Sequence, residues 1–242
     1  MKKKLNYFTK WEMALWSCST AIIFISFIVF DRENFLTLGA SLIGVTSLIF
    51  SAKGNPFGQI LMIIFSLMYG IISFSFAYYG EMITYLGMTA PMAVFSLVAW
   101  LRNPYESGHS EVKVNRLSLR EYILLLPLTA AVTIGFYFIL KYFNTANIFF
   151  STLSVATSFA AVYLTFRRSH YFAAAYAAND LVLIVLWSMA AFENISYISV
   201  LVCFVIFFIN DIYGFFSWKK MEKHQQKGNI AEETAHSDVE RK

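Results

Sequence analysis

Charged side chains are scarce in this chain of 242 residues: only 14% are Asp, Glu, Lys or Arg, against about a quarter in soluble domains. The same chain is 58% hydrophobic and has a mean hydropathy of +0.57. This composition excludes an ordinary soluble domain and predicts an integral membrane protein. The basic residues lie at the ends of apolar runs, which is typical of topology signals and argues against a nucleic-acid-binding surface.

Cysteine and histidine are rare as well. Cys18 and Cys203 lie inside apolar runs, as small buried residues do, and predict neither a disulfide nor a metal site. Four histidines without paired cysteines leave no metal-ligand spacing. Because no catalytic constellation lies at one depth, we expect no catalytic residues and no cofactor. An intramembrane enzyme is therefore disfavoured, while a receptor that binds a solute without moving it stays open.

Long apolar runs are what the sequence has in abundance. A membrane-spanning helix needs about 20 mostly apolar residues, and a cleaved secretory signal is disfavoured because FDREN, after the first run, offers no small-residue cleavage site. The sequence therefore predicts eight spanning helices, at residues 13–30, 36–52, 57–79, 82–101, 122–143, 147–166, 171–192 and 195–218.

The distribution of Lys and Arg predicts the orientation. With the N-terminus in the cytoplasm, all of the 19 basic residues except Arg32 and Lys141 fall on the cytoplasmic side. An excess of positive charge marks that side, so both termini are expected there. After the last run, residues 219–242 are charged and nearly free of large apolar side chains. They predict a disordered cytoplasmic tail.

Helices two to four and six to eight repeat one pattern. Each copy ends its first helix at a basic turn (SAKGNP, FRRSH), returns at an acidic turn (Gly80-Glu81, Glu193-Asn194) and finishes in WLR or WKK, with landmarks 113 to 118 residues apart. Three helices are an odd number, so the fifth helix must invert the second copy to make the repeats parallel. Parallel repeats enclose a solute path in some transporters. The predicted segments are 1–35 (N-terminus and extra helix), 36–101 (first repeat), 102–146 (cytoplasmic loop and linker helix), 147–218 (second repeat) and 219–242 (tail).

Two Asn-Asp pairs interrupt the last two apolar runs, in NDLVLIVLW from Asn179 and in NDIYGFFSW from Asn210. A central Asp costs about 2.5 to 3.5 kcal/mol in a spanning helix, so Asp180 and Asp211 predict a functional site that faces the bundle interior. At ~1.5 Å per residue both pairs lie about 12 to 14 Å from the cytoplasmic boundary, which is nearly one level. The alternative is that the pairs only join two helices by hydrogen bonds.

Other side chains extend this predicted site. Trp187 and Tyr213 offer flat faces for a planar ring, and the Asn and Asp groups suit ribose hydroxyls. The first repeat offers only weaker polar candidates, of which we include Gln59, so the second repeat leads the site. Trp100 and Trp218, at the ends of their helices, are expected to be interfacial anchors.

The RRSHYF turn, NDLVLIVLW, NDIYGFFSW and the WLRNPYE loop followed by EVKVN together resemble the PnuC family of bacterial vitamin transporters. The resemblance covers residues 36–220, and N-x-x-Y-G-x-x-x-W is its most specific part. It implies an all-α inner-membrane protein with the three-one-three fold of the SWEET transporters, here with one extra N-terminal helix. It also implies facilitated diffusion of nicotinamide riboside, with trapping by a cytoplasmic kinase. A homo-oligomer stays open.

The resemblance implies substrate contacts for Asn179, Trp187 and Asn210. The family's W-x-x-W in the seventh helix is absent, and the matching stretch reads HYFAAAYAAND, in which Tyr176 is an aromatic candidate. Relatives that are thought to carry thiamine, riboflavin or deoxynucleosides keep these solutes open. Proton-coupled transport through either buried Asp stays open too.

Overall fold

The computed structural model describes residues 7–75, 78–106 and 110–240, with side chains as far as residue 228. In these ranges a backbone bridge joins Pro104 to Val112 and no strand is formed. A π-helical segment, Tyr85–Thr89, joins the fourth helix to the fifth, and a 3₁₀ turn, Ile195–Tyr197, precedes the last. The helices are α1 (Lys10–Phe30), α2 (Phe35–Ala52), α3 (Phe57–Ser75), α4 (Tyr79–Thr84), α5 (Ala90–Leu101), α6 (Leu119–Tyr142), α7 (Ile148–Phe166), α8 (Phe172–Glu193) and α9 (Ile198–Glu240).

Within the described ranges, eight helical spans are long and apolar enough to cross the membrane, which confirms the predicted number. α4, the π-helical segment and α5 form one span, Tyr79–Leu101, and the remaining seven helices are each long and apolar enough to be a span. α1 and α6 each begin with a capping box, formed by Thr9 with Glu12 and by Ser118 with Glu121. These side chains satisfy amide groups that have no partner within the helix.

The spans pack as two sets of three. The first set contains α2, α3 and the α4–α5 span, and the second contains α7, α8 and α9. α2 packs on α9 and α5 packs on α7, so the first helix of each set contacts the third span of the other. α6 packs mainly on α7, and α1 packs on α2 and α9. This is the predicted three-one-three arrangement with one extra helix.

The C-terminal segment differs from the predicted disordered tail. α9 continues past residue 219 without a break, and Glu222 and Gln225 are buried. The Gln225 side chain donates to the carbonyl of Val112 at 3.0 Å and accepts from the amide of Val114 at 2.8 Å. The extended backbone of the loop before α6 needs hydrogen-bond partners, and residues 219–228 supply them. The composition of residues 219–242 does not predict this contact.

Candidate solute-binding site

Asp180 on α8 and Asp211 on α9 face each other inside the bundle. Their carboxyl groups are in contact, and the residues are only 3% and 4% exposed. Oδ2 of Asp180 has no hydrogen-bond partner. Among the residues that the structure describes, no basic side chain forms a salt bridge with either acid. We name these two side chains the carboxyl pair. Two predicted site residues are therefore brought together.

The two Asn residues turn away from the carboxyl pair. Oδ1 of Asn179 accepts hydrogen bonds from Thr157 and Ser158 of α7 at 2.8 and 2.9 Å. Nδ2 of Asn210 donates to Ser19 of α1 at 3.0 Å and to the carbonyl of Ile206. Successive residues in a helix are about 100° apart. When the two Asp side chains face each other, the preceding Asn side chains therefore point toward other helices, which are α7 for Asn179 and α1 for Asn210. Oδ1 of Asn210 is left buried without a partner.

Of the three remaining polar candidates, one lies beside the carboxyl pair and two do not. Tyr176 lies beside both members of the carboxyl pair. The hydroxyl of Tyr213 instead donates to Glu12 of α1 at 2.9 Å, and Glu12 pairs with Lys53 at 3.2 Å. Gln59 is buried, and its amide donates to Ser51 of α2 at 3.5 Å. The hydrogen bonds of Tyr213 and Gln59 therefore connect other helices, and the structure does not join these two residues to the carboxyl pair.

Trp187 belongs to a buried cluster on one side of the carboxyl pair. Its indole N–H donates to the hydroxyl of Tyr69 at 2.7 Å, and the Tyr69 and Tyr85 ring centroids are 4.4 Å apart. Tyr78 and Phe204 also contact this group, at centroid distances of 4.9 Å from Trp187 and 5.4 Å from Tyr69. These five side chains are the Trp187 cluster.

Trp218 belongs to a second cluster, with Trp100 and Phe172. The Trp218 ring lies 5.2 Å from Trp100 and 4.8 Å from Phe172 between centroids. Trp100 and Trp218 are 1% and 0% exposed, so their prediction as interfacial anchors is wrong. Their indole N–H groups reach buried carbonyls, which removes the polar atom that would favour the membrane interface. These three side chains are the Trp218 cluster.

The antiparallel course of α8 and α9 explains why the sequence repeats its Asp and Trp spacing. Each Trp follows its Asp by seven residues, a distance of about 10 Å along a helix. Because the two helices run in opposite directions, Trp187 and Trp218 lie on opposite sides of the carboxyl pair. The buried acids are thus enclosed between two aromatic clusters.

The two repeats contact each other through both aromatic clusters. Tyr69 of the first repeat and Trp187 of the second are hydrogen-bonded, and the rings of Trp100 and Trp218 are also in contact across the repeats. Both clusters therefore lie where the repeats meet, which is where a solute path between parallel repeats is expected.

Sequence reasoning missed Glu81. It was placed in an external turn, but α4 begins at Tyr79, and Glu81 is 1% exposed. Oε1 accepts from Ser154 of α7 at 2.8 Å, and Oε2 has no partner. Tyr85 lies near both Glu81 and Asp180, so a third buried acid lies close to the carboxyl pair. A predicted start of the fourth helix one turn earlier would have placed Glu81 inside a spanning helix and marked it as a candidate.

The first helix braces α9 at three levels. Glu12 accepts from Tyr213, Ser19 accepts from Asn210 at 3.0 Å, and Asp31 accepts from Ser199 at 3.2 Å. Beside the first of these contacts a cavity of about 430 Å³ opens, with Lys53 and Lys220 in its wall. α1 lies outside both repeats, yet it holds the helix that carries Asn210 and Asp211.

Known proteins share this fold and sequence pattern. A family profile described as "Nicotinamide mononucleotide transporter" matches residues 34–220. The nicotinamide riboside transporter PnuC of Neisseria mucosa is 25% identical over 199 residues, which are 81% of this chain and 76% of that protein. A crystal structure of the vitamin B3 transporter PnuC matches with a TM-score of 0.79 at 22% identity, over 90% of this chain and 94% of that chain. The predicted resemblance is confirmed, and the chain belongs to this family of multi-pass membrane transporters, which are not enzymes.

Proposed function

We propose that this protein carries nicotinamide riboside across the bacterial inner membrane by facilitated diffusion. Three observations support the proposal: the membership of the family, the matched relative that is described as a nicotinamide riboside transporter, and a buried polar site between aromatic clusters that join the two repeats. Asp180 and Asp211 would form hydrogen bonds with the ribose and the carboxamide. Asn179 and Asn210 would do so after exchanging their present contacts with α7 and α1. The side chains of Tyr176 and Trp187 would stack on the nicotinamide ring.

One observation favours the riboside over the mononucleotide. Asp180, Asp211 and Glu81 are buried acids, and among the described residues none has a basic partner. A phosphate group in this site would face like charges in a medium of low dielectric constant, which is strongly unfavourable. A nucleoside brings no such charge. The substrate is therefore the dephosphorylated compound.

The two aromatic clusters act as gates on either side of the carboxyl pair. Trp187 and Trp218 are each 0% exposed, so both gates are closed here. Rocking of one repeat against the other would open one cluster while the second stays packed, as alternating access requires. The solute then exchanges at the carboxyl pair without a continuous open channel.

Orientation and trapping complete the proposal. The concentration of Lys and Arg on one side supports cytoplasmic termini. A uniport only equilibrates its solute, so phosphorylation by a cytoplasmic kinase would maintain the inward gradient, and the phosphate would prevent return through the acidic site. Most of the α6 surface is exposed, and only Leu125 and Leu140 of this helix are buried. Self-association would therefore use α6.

The test is uptake of labelled nicotinamide riboside into proteoliposomes, with empty liposomes as the blank. We expect entry until the inside and outside concentrations are equal, and no competition by an excess of the mononucleotide. Effective competition by the mononucleotide would overturn the argument from the buried acids. Absence of riboside entry would overturn the proposed function itself.

Proton coupling is the second candidate, because two facing carboxyl groups are able to hold a proton. Addition of a protonophore distinguishes the two mechanisms. Uniport should continue at its former rate when the proton gradient is abolished. Accumulation above equilibrium that disappears with the gradient would favour proton coupling.

A further inference from the structure

We infer that the carboxyl pair and Glu81 form a charge-selective site that recognises the positive charge of the pyridinium ring. This inference rests on the proposed function and adds the property of the substrate that the site reads. Nicotinamide riboside carries a permanent positive charge on its ring nitrogen, since that nitrogen is bonded to the sugar. Ribose hydroxyls are common to many other nucleosides, but a permanent positive charge on the ring is not.

The absence of basic partners distinguishes these acids from others in the protein. Glu12 pairs with Lys53 at 3.2 Å, Glu222 pairs with Arg116, and Glu121 pairs with Arg167. Asp180, Asp211 and Glu81 have no such partner among the described residues. A buried charge without a counter-ion is costly, and a cationic solute provides the missing partner.

Unsatisfied atoms mark where the cation would lie. Oδ2 of Asp180 and Oε2 of Glu81 are both buried without a hydrogen-bond partner. The two acids come from different repeats, and Tyr85 lies near both. A tyrosine ring attracts a cation through its π-face, with a contribution of about 0.5 to 2 kcal/mol. Tyr85 is therefore the aromatic side chain that lies near both unsatisfied acids.

The carboxyl pair matches a charge of plus one. Two carboxyl groups in contact do not both ionise in a buried site, because their like charges repel. A monocation beside the pair favours the ionisation of one carboxyl group and balances the charge that this creates. A neutral ring offers no such compensation.

The 1,4-dihydropyridine form of nicotinamide riboside is the appropriate probe, because it keeps the ribose and the carboxamide but has a neutral ring. Both compounds compete against uptake of labelled nicotinamide riboside in proteoliposomes. We expect the wild-type protein to prefer the cation by at least about tenfold, which corresponds to 1.4 kcal/mol. Equal competition by the neutral form would overturn the inference while the proposed function stands. Failure to transport the riboside would instead overturn the proposed function.

Variants of the carboxyl pair test whether the total charge is decisive. Asp180→Asn and Asp211→Asn each leave one carboxyl group free to ionise, so each single variant should keep the preference for the cation. The double variant Asp180→Asn/Asp211→Asn should lose it, and Glu81→Gln should reduce it. The preference is a ratio measured on one preparation, so differences in the amount of inserted protein cancel.

Glu12→Gln is the matched control, because Glu12 is a buried acid that already has a basic partner. It should leave the preference unchanged. An unchanged preference in a folded double variant, or an equal loss in Glu12→Gln, would overturn the inference. If the double variant does not insert, the wild-type comparison of the charged and neutral rings still decides.

Discussion

Trp100 and Trp218 make the same hydrogen bond from opposite repeats. The indole N–H of Trp100 donates to the carbonyl of Thr165 at 2.9 Å, and that of Trp218 donates to the carbonyl of Ser51 at 2.7 Å. Each Trp lies in the third span of its repeat, and each carbonyl lies near the end of the first helix of the other repeat. This reciprocal contact closes the bundle beneath the carboxyl pair.

Replacement of either Trp by Phe should destabilise the protein. Trp100→Phe and Trp218→Phe each leave a buried carbonyl without its donor, at a cost of about 1 to 3 kcal/mol. The melting temperature in detergent measures the effect. Trp11→Phe is the control, because Trp11 is 82% exposed, and its melting temperature should not change. Equal melting temperatures for all three variants would show that the reciprocal bonds contribute nothing.

The hydrogen bond between Trp187 and Tyr69 should appear as an energetic coupling. Trp187→Phe and Tyr69→Phe each remove one partner and retain an aromatic ring, so their combination should cost less than the sum of the single changes. We expect a coupling energy of about 1 kcal/mol from a double-mutant cycle of unfolding free energies. Strict additivity would contradict the 2.7 Å contact.

Asn210 and Ser19 allow a ligand role to be separated from a packing role. Ser19→Ala removes the contact of Asn210 with α1 but leaves the amide in place. We therefore expect calorimetric titration with nicotinamide riboside to show binding in Ser19→Ala and none in Asn210→Leu. Comparable losses in both variants would assign Asn210 to the packing of α1 on α9.

The close approach of α2 to α9 depends on Gly44. A Cβ atom at this position would lie 2.2 Å from Cζ of Phe207. Gly44→Ala should therefore cost about 1 to 3 kcal/mol through overpacking, and an added Phe207→Leu change should recover part of the loss.

Gly135 supplies the control for that comparison, because a Cβ atom there meets nothing within 4 Å. Gly135→Ala should stabilise α6 by about 0.5 to 1 kcal/mol, since glycine is a poor helix former. A Gly44→Ala variant as stable as Gly135→Ala would refute the close approach.

The folded protein should lose stability in acid through His170. Burial, and the nearby Lys219 and Arg116, hold the pKa of His170 below its usual value of 6.5, although Glu222 at 3.0 Å opposes the shift. The unfolded state then binds more protons as the pH falls through 6.5, so the folded state loses stability in that range. His170→Gln cannot take up this proton.

The measurement is the change in melting temperature between pH 7.5 and pH 5.5. The wild-type protein should lose more than His170→Gln. Identical pH dependence in the two proteins would remove His170 from the explanation.

Sequence reasoning succeeded where each conclusion depended on the hydropathy and charge of a single segment. The eight spans followed from apolar length, and the repeat followed from the positions of basic turns and terminal Trp residues. The importance of Asp180 and Asp211 followed from the cost of an acid in a spanning helix. These are properties of single segments, and the bilayer acts on them one segment at a time.

Sequence reasoning failed where a contact between distant segments decided the outcome. Glu81 lies three residues inside a helix whose start was placed too late, and Tyr213 faces Glu12 because α1 packs beside α9. Gln225 is ordered by backbone groups of Val112 and Val114 that lie more than a hundred positions away. The two residues of each of these contacts are too far apart along the chain to be recognised from a local stretch of sequence.

The sequence by itself determined the membrane class, the number of spans and the two buried Asn-Asp pairs, because hydropathy and charge are summed along the chain. The tertiary structure alone decided that Asp180 meets Asp211 while Asn179 and Asn210 turn outward. The physical reason is the rotation of each helix about its own axis. A step of one residue changes the direction of a side chain by about 100°, and only packing against neighbouring helices sets that rotation.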